Sequence, residues 1–537
     1  MTIAHDVTSL VPASAYQFGL THLLDRSAAA YRRNTATRFG ERSLTYAELA
    51  AAVDRTARGL QRLGLKPGDR VGAFSMNSDL YLILFLAAAR AGLIHVPVNS
   101  GLKGGELAHI LNDSGATVLV VDKALASLVD EVRASGKVES LAVVVPFQKG
   151  EQAEENAAGI TSLEELALDE TPAGAAEGAE PFPQVHSEDP VQLLYTSGTT
   201  SAPKGAVMTH RALVAEYDST LIALDFTEED RPLIAMPLYH SAAMHVFAMP
   251  YLSLGATLRI IEKPDIGQML QLVQDEHIGS LFLAPTVWVP LANREDLGDY
   301  DLTSLTKAQY GASIMPVTVL QRLREAFPKL GFYNCFGQSE MAPLCTVLRP
   351  EEHHARPASC GRPAQHVQVR VVDPTGEPVQ VGEPGEIQYR SPQLFSGYWN
   401  NPEATEAAFM DGWFRSGDQV TQDEAGYIQV VDRIKDVINT GGVLVAPREV
   451  EDCVYEVEGV AEVAVIGVPD ERWIEAITAV VVLKDGAQVT EEQVIAHVKE
   501  NLAGFKVPKS VEFVDELPRN QSGKLLKRVL RKERSEA

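Results

Sequence analysis

Apolar positions along residues 44–121 follow two alternating rhythms. Spacings of three and four from Leu44-Thr-Tyr-Ala-Glu-Leu-Ala to Leu63 predict an amphipathic helix, and Tyr81 to Ala91 predicts a second. Short unbroken runs at Arg70-Val-Gly-Ala-Phe-Ser75, Leu93-Ile-His-Val-Pro97 and Ala116-Thr-Val-Leu-Val-Val121 predict buried strands, with His95 as a core imidazole. Strands separated by helices of this length imply parallel α/β layers. Residues 148–189, rich in Glu, Ala, Gly and Pro, read as a surface excursion or linker. The α/β rhythm returns from Val191 to about Gly331. Short alternating strands between Gln365 and Arg390, punctuated by Gly and Pro, predict a small antiparallel unit.

The C-terminal part has its own pattern. A helix after Pro447, strands at Val463–Val468 and Ile477–Leu483, and a helix opened by the capping box Thr490/Gln493 lead into a basic run, Lys524 to Arg534. The whole is an α/β chain of several domains, as 537 residues require. Its 72 acidic against 47 basic residues leave a net charge of −25, which argues against nucleic acid or an anionic membrane surface as the main partner. The longest apolar stretch, Leu80–Ala89, is about half a bilayer span. The first residues lack the plan of a signal peptide, and Cys335, Cys345, Cys360 and Cys453 lack paired spacing. The expectation is a cytoplasmic protein without integral membrane association, disulfides or zinc.

Charge changes the picture most at Thr196-Ser-Gly-Thr-Thr-Ser-Ala-Pro-Lys-Gly205, directly after the buried run Val191–Tyr195. Small residues with exposed N–H groups suit phosphate oxygens, and Lys204 adds a point charge. A Walker P-loop is rejected. Pro203 stands where its second glycine belongs and has no N–H, and Gly205 stands where a metal-binding hydroxyl is needed. A solvated polar turn is the plain alternative. Further segments each offer something to a nucleotide. Asn334-Cys-Phe-Gly-Gln-Ser-Glu340 has an aromatic face, a hydroxyl and a carboxylate; Trp413–Asp418 ends in a carboxylate suited to ribose hydroxyls. Asp432-Arg-Ile-Lys-Asp436 is a charge cluster beside Gly441-Gly442, and Arg519–Lys524 places a lysine behind a loop.

Together with Pro237-Leu-Tyr-His240, Tyr310-Gly-Ala-Ser313 and Gly397-Tyr-Trp399, these ordered motifs make the chain resemble the adenylate-forming (ANL) superfamily of acyl-CoA synthetases, luciferases and peptide-synthetase adenylation domains. The resemblance runs from Leu44 to the terminal lysine. It implies a large N-terminal domain (1–431) of stacked α/β subdomains with a small β-barrel, a hinge (432–436) at Lys435, and a small mobile α+β C-terminal domain (437–537). It implies ATP, Mg2+ and coenzyme A as reactants and cofactor. Thr196, Ser197, Gly198, Thr199, Thr200 and Lys204 would hold the β- and γ-phosphates, Phe336 would lie beside adenine, and Gly311, Ala312, Asn334 and Gly337 would also bind the cofactor. Ser339 would approach the α-phosphate, and Glu340 with Thr196 would hold magnesium. Asp418 would hold the ribose, Arg433 would add a ribose or phosphate contact, and Gly441-Gly442 would face the pantetheine channel. Lys524 would bridge substrate carboxylate and nucleotide. A carboxylate attacking a phosphate brings two anions together, so cations at the point of attack lower the barrier.

His240 stands where relatives that activate amino acids carry an aspartate, so an amino acid is disfavoured; it contacts substrate or shapes the pocket, and His245 reads as structural. Ala242, Met244, Trp288, Gly311, Ala312, Met341 and Ala342 suit an apolar acid. The expectation is fatty-acid:CoA ligation, of medium or long chain, through an acyl-AMP. The alternatives are an aryl-acid (cinnamate- or benzoate-like) CoA ligase, an acyl-AMP ligase loading a carrier protein, and a nucleotide-binding pseudoenzyme. A homodimer is left open. Gly311-Ala-Ser313 is not a nucleophile elbow, and Glu351-Glu-His-His354 reads as an exposed turn.

Overall fold

The computed structural model describes residues 18–149, 158–168, 181–196, 203–313, 315, 317–440, 443–470, 472–519 and 524–535. Two largely parallel sheets dominate the N-terminal part. One has six strands in the order Val143–Pro146, Val118–Val121, Arg70–Phe74, Ile94–Val98, Pro190–Thr196, Lys204–Thr209, and only its last pair is antiparallel. The other has nine, with Ser280–Leu283, Lys307–Gly311 and Gly331–Gly337 as adjacent parallel strands near its middle. Val118–Val121 and Ser280–Leu283 are buried at every position, the mark of strands covered on both faces. The helix Asp79–Arg90 is buried from Asp79 through Ala89, within the core that these layers share.

A third sheet is antiparallel: Gln368–Val372, Gly385–Arg390 and Trp413–Gln422, with Phe409–Met410 and Ile428–Arg433 both pairing with Trp413–Gln422. The smaller C-terminal part builds a fourth sheet around Val460–Asp470 and Ile474–Leu483, with its own core of Val450, Val465, Ile477 and Val481. Its last helix, Lys527–Ser535, packs on that sheet, with Leu530 against Ala464, Ile466 and Val480. Lys527 meets Glu451 at 2.8 Å and Arg531 meets Asp436 at 2.7 Å, while Leu530 is buried beneath. Those two cations lie one helical turn apart and tie the helix to Glu451 and to Asp436.

Three expectations change. Leu44 and Thr45 belong to the strand Arg42–Thr45, and the helix starts at Tyr46 because extended Thr45 caps it through the amide of Glu48. Within 148–189, the helix Leu163–Leu168 buries Leu163 and Ala167 and presses Leu166 on Gly59, so part of that stretch belongs to the core. His353 is buried, with Nε2 at 3.0 Å from the Tyr310 hydroxyl and Nδ1 at 2.7 Å from the Arg349 carbonyl; its partners, not its polar neighbours in sequence, decide its place. His95 and His245 are core groups linked through Gln192, and burial lowers both to about 3. The four cysteines are buried free thiols. Among the described residues, no helix is long and apolar enough to cross a membrane.

Candidate active site

The strands Pro190–Thr196 and Lys204–Thr209 pair antiparallel, Tyr195 opposite Gly205 and Thr196 opposite Lys204. Ser197, Gly198, Thr199 and Thr200 lie outside the described residues. A third chain segment runs alongside: Trp399 N–H donates to the Gly205 carbonyl at 2.7 Å and Val207 N–H to that of Gly397 at 3.0 Å. That pairing fixes Tyr398, whose ring lies 5.2 Å from the Lys204 ammonium and whose hydroxyl donates to Glu340 Oε1 at 2.9 Å. Thr196 Oγ1 is 3.4 Å from the same oxygen. Lys204, Thr196 and Glu340 are thus brought together.

Gly311 and Gly337 end two parallel strands, where open α/β sheets bind ligands. A side chain on Gly311 would stand 2.3 Å from the Cys335 carbonyl oxygen, and one on Gly337 1.8 Å from that of Pro343. Ala312 follows at φ 65°, and Phe336 presents a half-buried ring. The Asn334 amide donates to the Ser359 carbonyl at 3.0 Å and so braces the wall. Ser339 Oγ is 3.0 Å from Ser241 Oγ.

Behind Glu340, the buried Glu216 accepts from Leu344 N–H at 3.1 Å and the Thr220 hydroxyl at 3.2 Å, and takes an amide hydrogen from Gln393. Burial raises its carboxyl well above the usual range despite those donors. Gln393 also donates to the carbonyls of Met341 and Leu344, which pins the chain after Glu340. Sequence reading missed Glu216, Gln393 and Ser241. A lone acid on the core side of the helix His210–Ala223 was the available signal.

Asp418 is opposite Arg433 in the antiparallel ladder, with Oδ1 at 2.7 Å from Nε. Burial raises the Asp418 carboxyl, against the pull of Arg433, Lys524 and Lys435 and with the push of Glu340. Lys435 is lowered by burial and then by Arg433. Lys524 keeps solvent on its surface, yet the protein crowding its cleft lowers its ammonium to about 8, with Arg433 and Lys435 pushing the same way and Asp418 and Glu340 opposing. His240 falls to about 4 through burial and then through Lys524. Its Nδ1 accepts from Ala242 N–H at 3.3 Å, which leaves the proton of the neutral ring on Nε2. A lysine 284 positions from His240 in sequence therefore acts on that imidazole through space (524 − 240). Gly441 and Gly442 lie outside the described residues.

The oxygen donors fit a hard cation: the Glu340 carboxylate with the Thr196 hydroxyl beside it. Among the described residues no cluster of three acidic, His or Cys ligands exists.

The model of the AMP-binding enzyme family matches residues 24–399, and that of the AMP-binding enzyme C-terminal domain matches 449–524. The chain is 38% identical to feruloyl-CoA synthase of Amycolatopsis sp over 501 residues, 93% of this chain and 95% of that protein. It is 33% identical to the medium/long-chain-fatty-acid–CoA ligase FadD8 of Mycobacterium tuberculosis, covering 95% and 89%. The crystal structure of the anthranilate CoA ligase AuaEII in complex with anthranoyl-AMP superposes with a TM-score of 0.87 at 25% identity, covering 98% of both chains.

Proposed function

The chain belongs to the AMP-binding enzyme family, and we propose that it joins an aromatic carboxylic acid to AMP in the cleft between Glu340 and Lys524 before passing the acyl group to a thiol. It is an AMP-forming acid–thiol ligase working with ATP, Mg2+ and CoA. The observation that carries the adenylation reading is the meeting of Thr196, Lys204 and Glu340 around Tyr398, with Lys524 near enough for its ammonium to respond to Asp418 and Glu340.

In this reading Asp418 accepts from the ribose hydroxyls while Arg433 holds that carboxylate in place. Phe336 offers its face to adenine, and Lys204 meets the β- and γ-phosphates. The Lys524 ammonium lies between the acid's carboxylate and the α-phosphate. One carboxylate oxygen then bonds to phosphorus as the bond to pyrophosphate breaks, and positioned cations offset the repulsion of the two anions. Neutral His240 donates from Nε2 to the carboxylate without competing for the charge. Glu340 and Thr196 would hold Mg2+, which neutralises phosphate charge when bound. The thiolate of CoA finally attacks the acyl carbon and AMP departs. A carrier-protein thiol is the alternative acceptor.

Stacked rings favour a short, broad acid. Behind the π-helical segment Ala242–Ala248, Phe247 stacks on Phe282 at 4.2 Å and Phe226 on Tyr251 at 3.9 Å. Trp288 is buried against Phe332, its indole N–H given to the Gln309 carbonyl at 3.1 Å. In this reading these rings back the acyl pocket and leave it short and broad, which suits an aromatic acid better than a long alkyl chain. The higher identity to feruloyl-CoA synthase supports the same choice over the fatty acid expected from sequence, for which the likeness to FadD8 speaks.

Pyrophosphate release measured with cinnamates, benzoates and alkanoates, with and without CoA, tests this. We expect kcat/KM for the best aromatic acid to exceed that for octanoate or palmitate at least about tenfold, as about 1.4 kcal/mol of pocket fit implies. Preference for an alkanoate overturns the acid class, and no release with any acid overturns adenylation.

A further inference from the structure

The helix Gly104–Ser114 lies far from Lys524 in sequence and no motif marks it, yet it touches both legs of the hairpin that carries Thr196 and Lys204. His109 Nε2 is 3.0 Å from the Pro203 carbonyl oxygen. Pro203 has no N–H, so that carbonyl is the only backbone hydrogen-bonding group through which the residue before Lys204 can be held. One turn further along the same helical face, the Asp113 carboxylate accepts from the Tyr195 hydroxyl at 2.6 Å, on the residue before Thr196. The Asp113 carbonyl also accepts from the Trp399 indole at 3.1 Å, next to the tyrosine under the Lys204 ammonium. Between the legs, the Tyr195 ring leaves little room for a side chain on Gly205, whose Cβ would stand 3.1 Å from it.

We propose that His109 and Asp113 are positioning residues that brace the two legs, so that Thr196 and Lys204 meet the polyphosphate tail of ATP and, in reverse, pyrophosphate. The inference rests on the adenylation reading for its ligand. His109 donates from Nε2 to a carbonyl, so what matters is a donor at that distance from the helix. Glutamine, whose Nε2 reaches a similar point, keeps the donor; alanine removes it. Neither residue touches the acid, so the effect falls on the nucleotide.

The test measures ATP affinity by isothermal titration without acid, and KM for ATP and for acid in ATP–pyrophosphate exchange, for wild type, His109→Ala, His109→Gln and Asp113→Asn. The loss of one such bond predicts about a fivefold weakening of ATP binding and a matching rise in its KM for His109→Ala. His109→Gln should restore most of the loss, with KM for acid unchanged throughout. Asp113→Asn keeps an acceptor for Tyr195 and should change ATP affinity less than twofold, on the order of the error in such bonds. Equal rises in both KM values, or His109→Gln behaving as alanine, overturn the proposal. If His109→Ala does not fold, Tyr195→Phe, which removes the donor to Asp113, decides in its place: about a fivefold loss of ATP affinity with KM for acid unchanged supports the brace, and unchanged ATP affinity overturns it. If wild type binds ATP but shows no acid-dependent exchange, the adenylation reading fails while the titrations still judge the brace.

Discussion

The hydroxyl of Tyr398 donates to Glu340 Oε1 at 2.9 Å while its ring lies 5.2 Å from the Lys204 ammonium, so one side chain ties the cation proposed to meet phosphate to the carboxylate proposed to hold magnesium. Tyr398→Phe keeps the ring and removes the donor. A hydrogen bond to a charged group is worth about 1.5–3 kcal/mol, so exchange should slow about tenfold or more. The Mg2+ concentration for half-maximal activity should also move, and KM for acid should not. A magnesium titration of the exchange rate checks this; a change confined to acid KM contradicts it.

The charge on Lys524 sets a pH limit. Its ammonium is lowered to about 8, so it is charged below that pH and lost above it. Adenylation kcat/KM should hold on the acid side and fall as pH rises through about 8. Lys524→Arg, which stays charged, should abolish that fall even at lower activity. His240, at about 4, is already neutral near pH 7 and should add no inflection there. A pH profile of exchange for wild type and Lys524→Arg reads both effects.

Asp418 counters the lowering of Lys524, so removing its charge moves the same limb. Asp418→Asn should shift the alkaline fall to lower pH and raise KM for ATP about tenfold or more, because a buried partner of Arg433 is lost as well. An unchanged limb would show that the two groups do not communicate.

Phe282 stacks on Phe247, and the proposed preference for an aromatic acid makes that pair part of the wall behind the acyl pocket. Phe282→Ala should cost about 3–5 kcal/mol of stability and raise kcat/KM for octanoate relative to the best aromatic acid. Denaturant melts and the substrate panel report the two halves. A destabilised variant with unchanged preference would place the acyl pocket elsewhere.

The parallel layers were legible because strands buried on both faces leave continuous apolar runs, as at Val118–Val121, and helix caps such as Thr490 with Gln493 are local. Thr196, Glu340, Asp418 and Lys524 could be named as candidates because their motifs are contiguous. What escaped depends on pairing between distant segments. Tyr398 meets Glu340 only through the bridge between the segment 396–399 and the strand Lys204–Thr209. Glu216 finds Gln393 across 177 positions, and His109 finds Pro203 across 94. His353 was misread because a polar neighbourhood in sequence does not reveal a buried tyrosine partner.

The account rests on Lys524 acting in adenylation alone, and the most direct measurement separates the two half-reactions in Lys524→Ala. We predict that acid-dependent ATP–pyrophosphate exchange falls by about 100-fold or more, the scale of losing a charge aimed at the reacting centre. Thioester formation from supplied acyl-AMP and CoA should stay within about threefold of wild type, since that step needs no attack on phosphorus. Equal loss of both steps, or exchange that survives the substitution, contradicts the account.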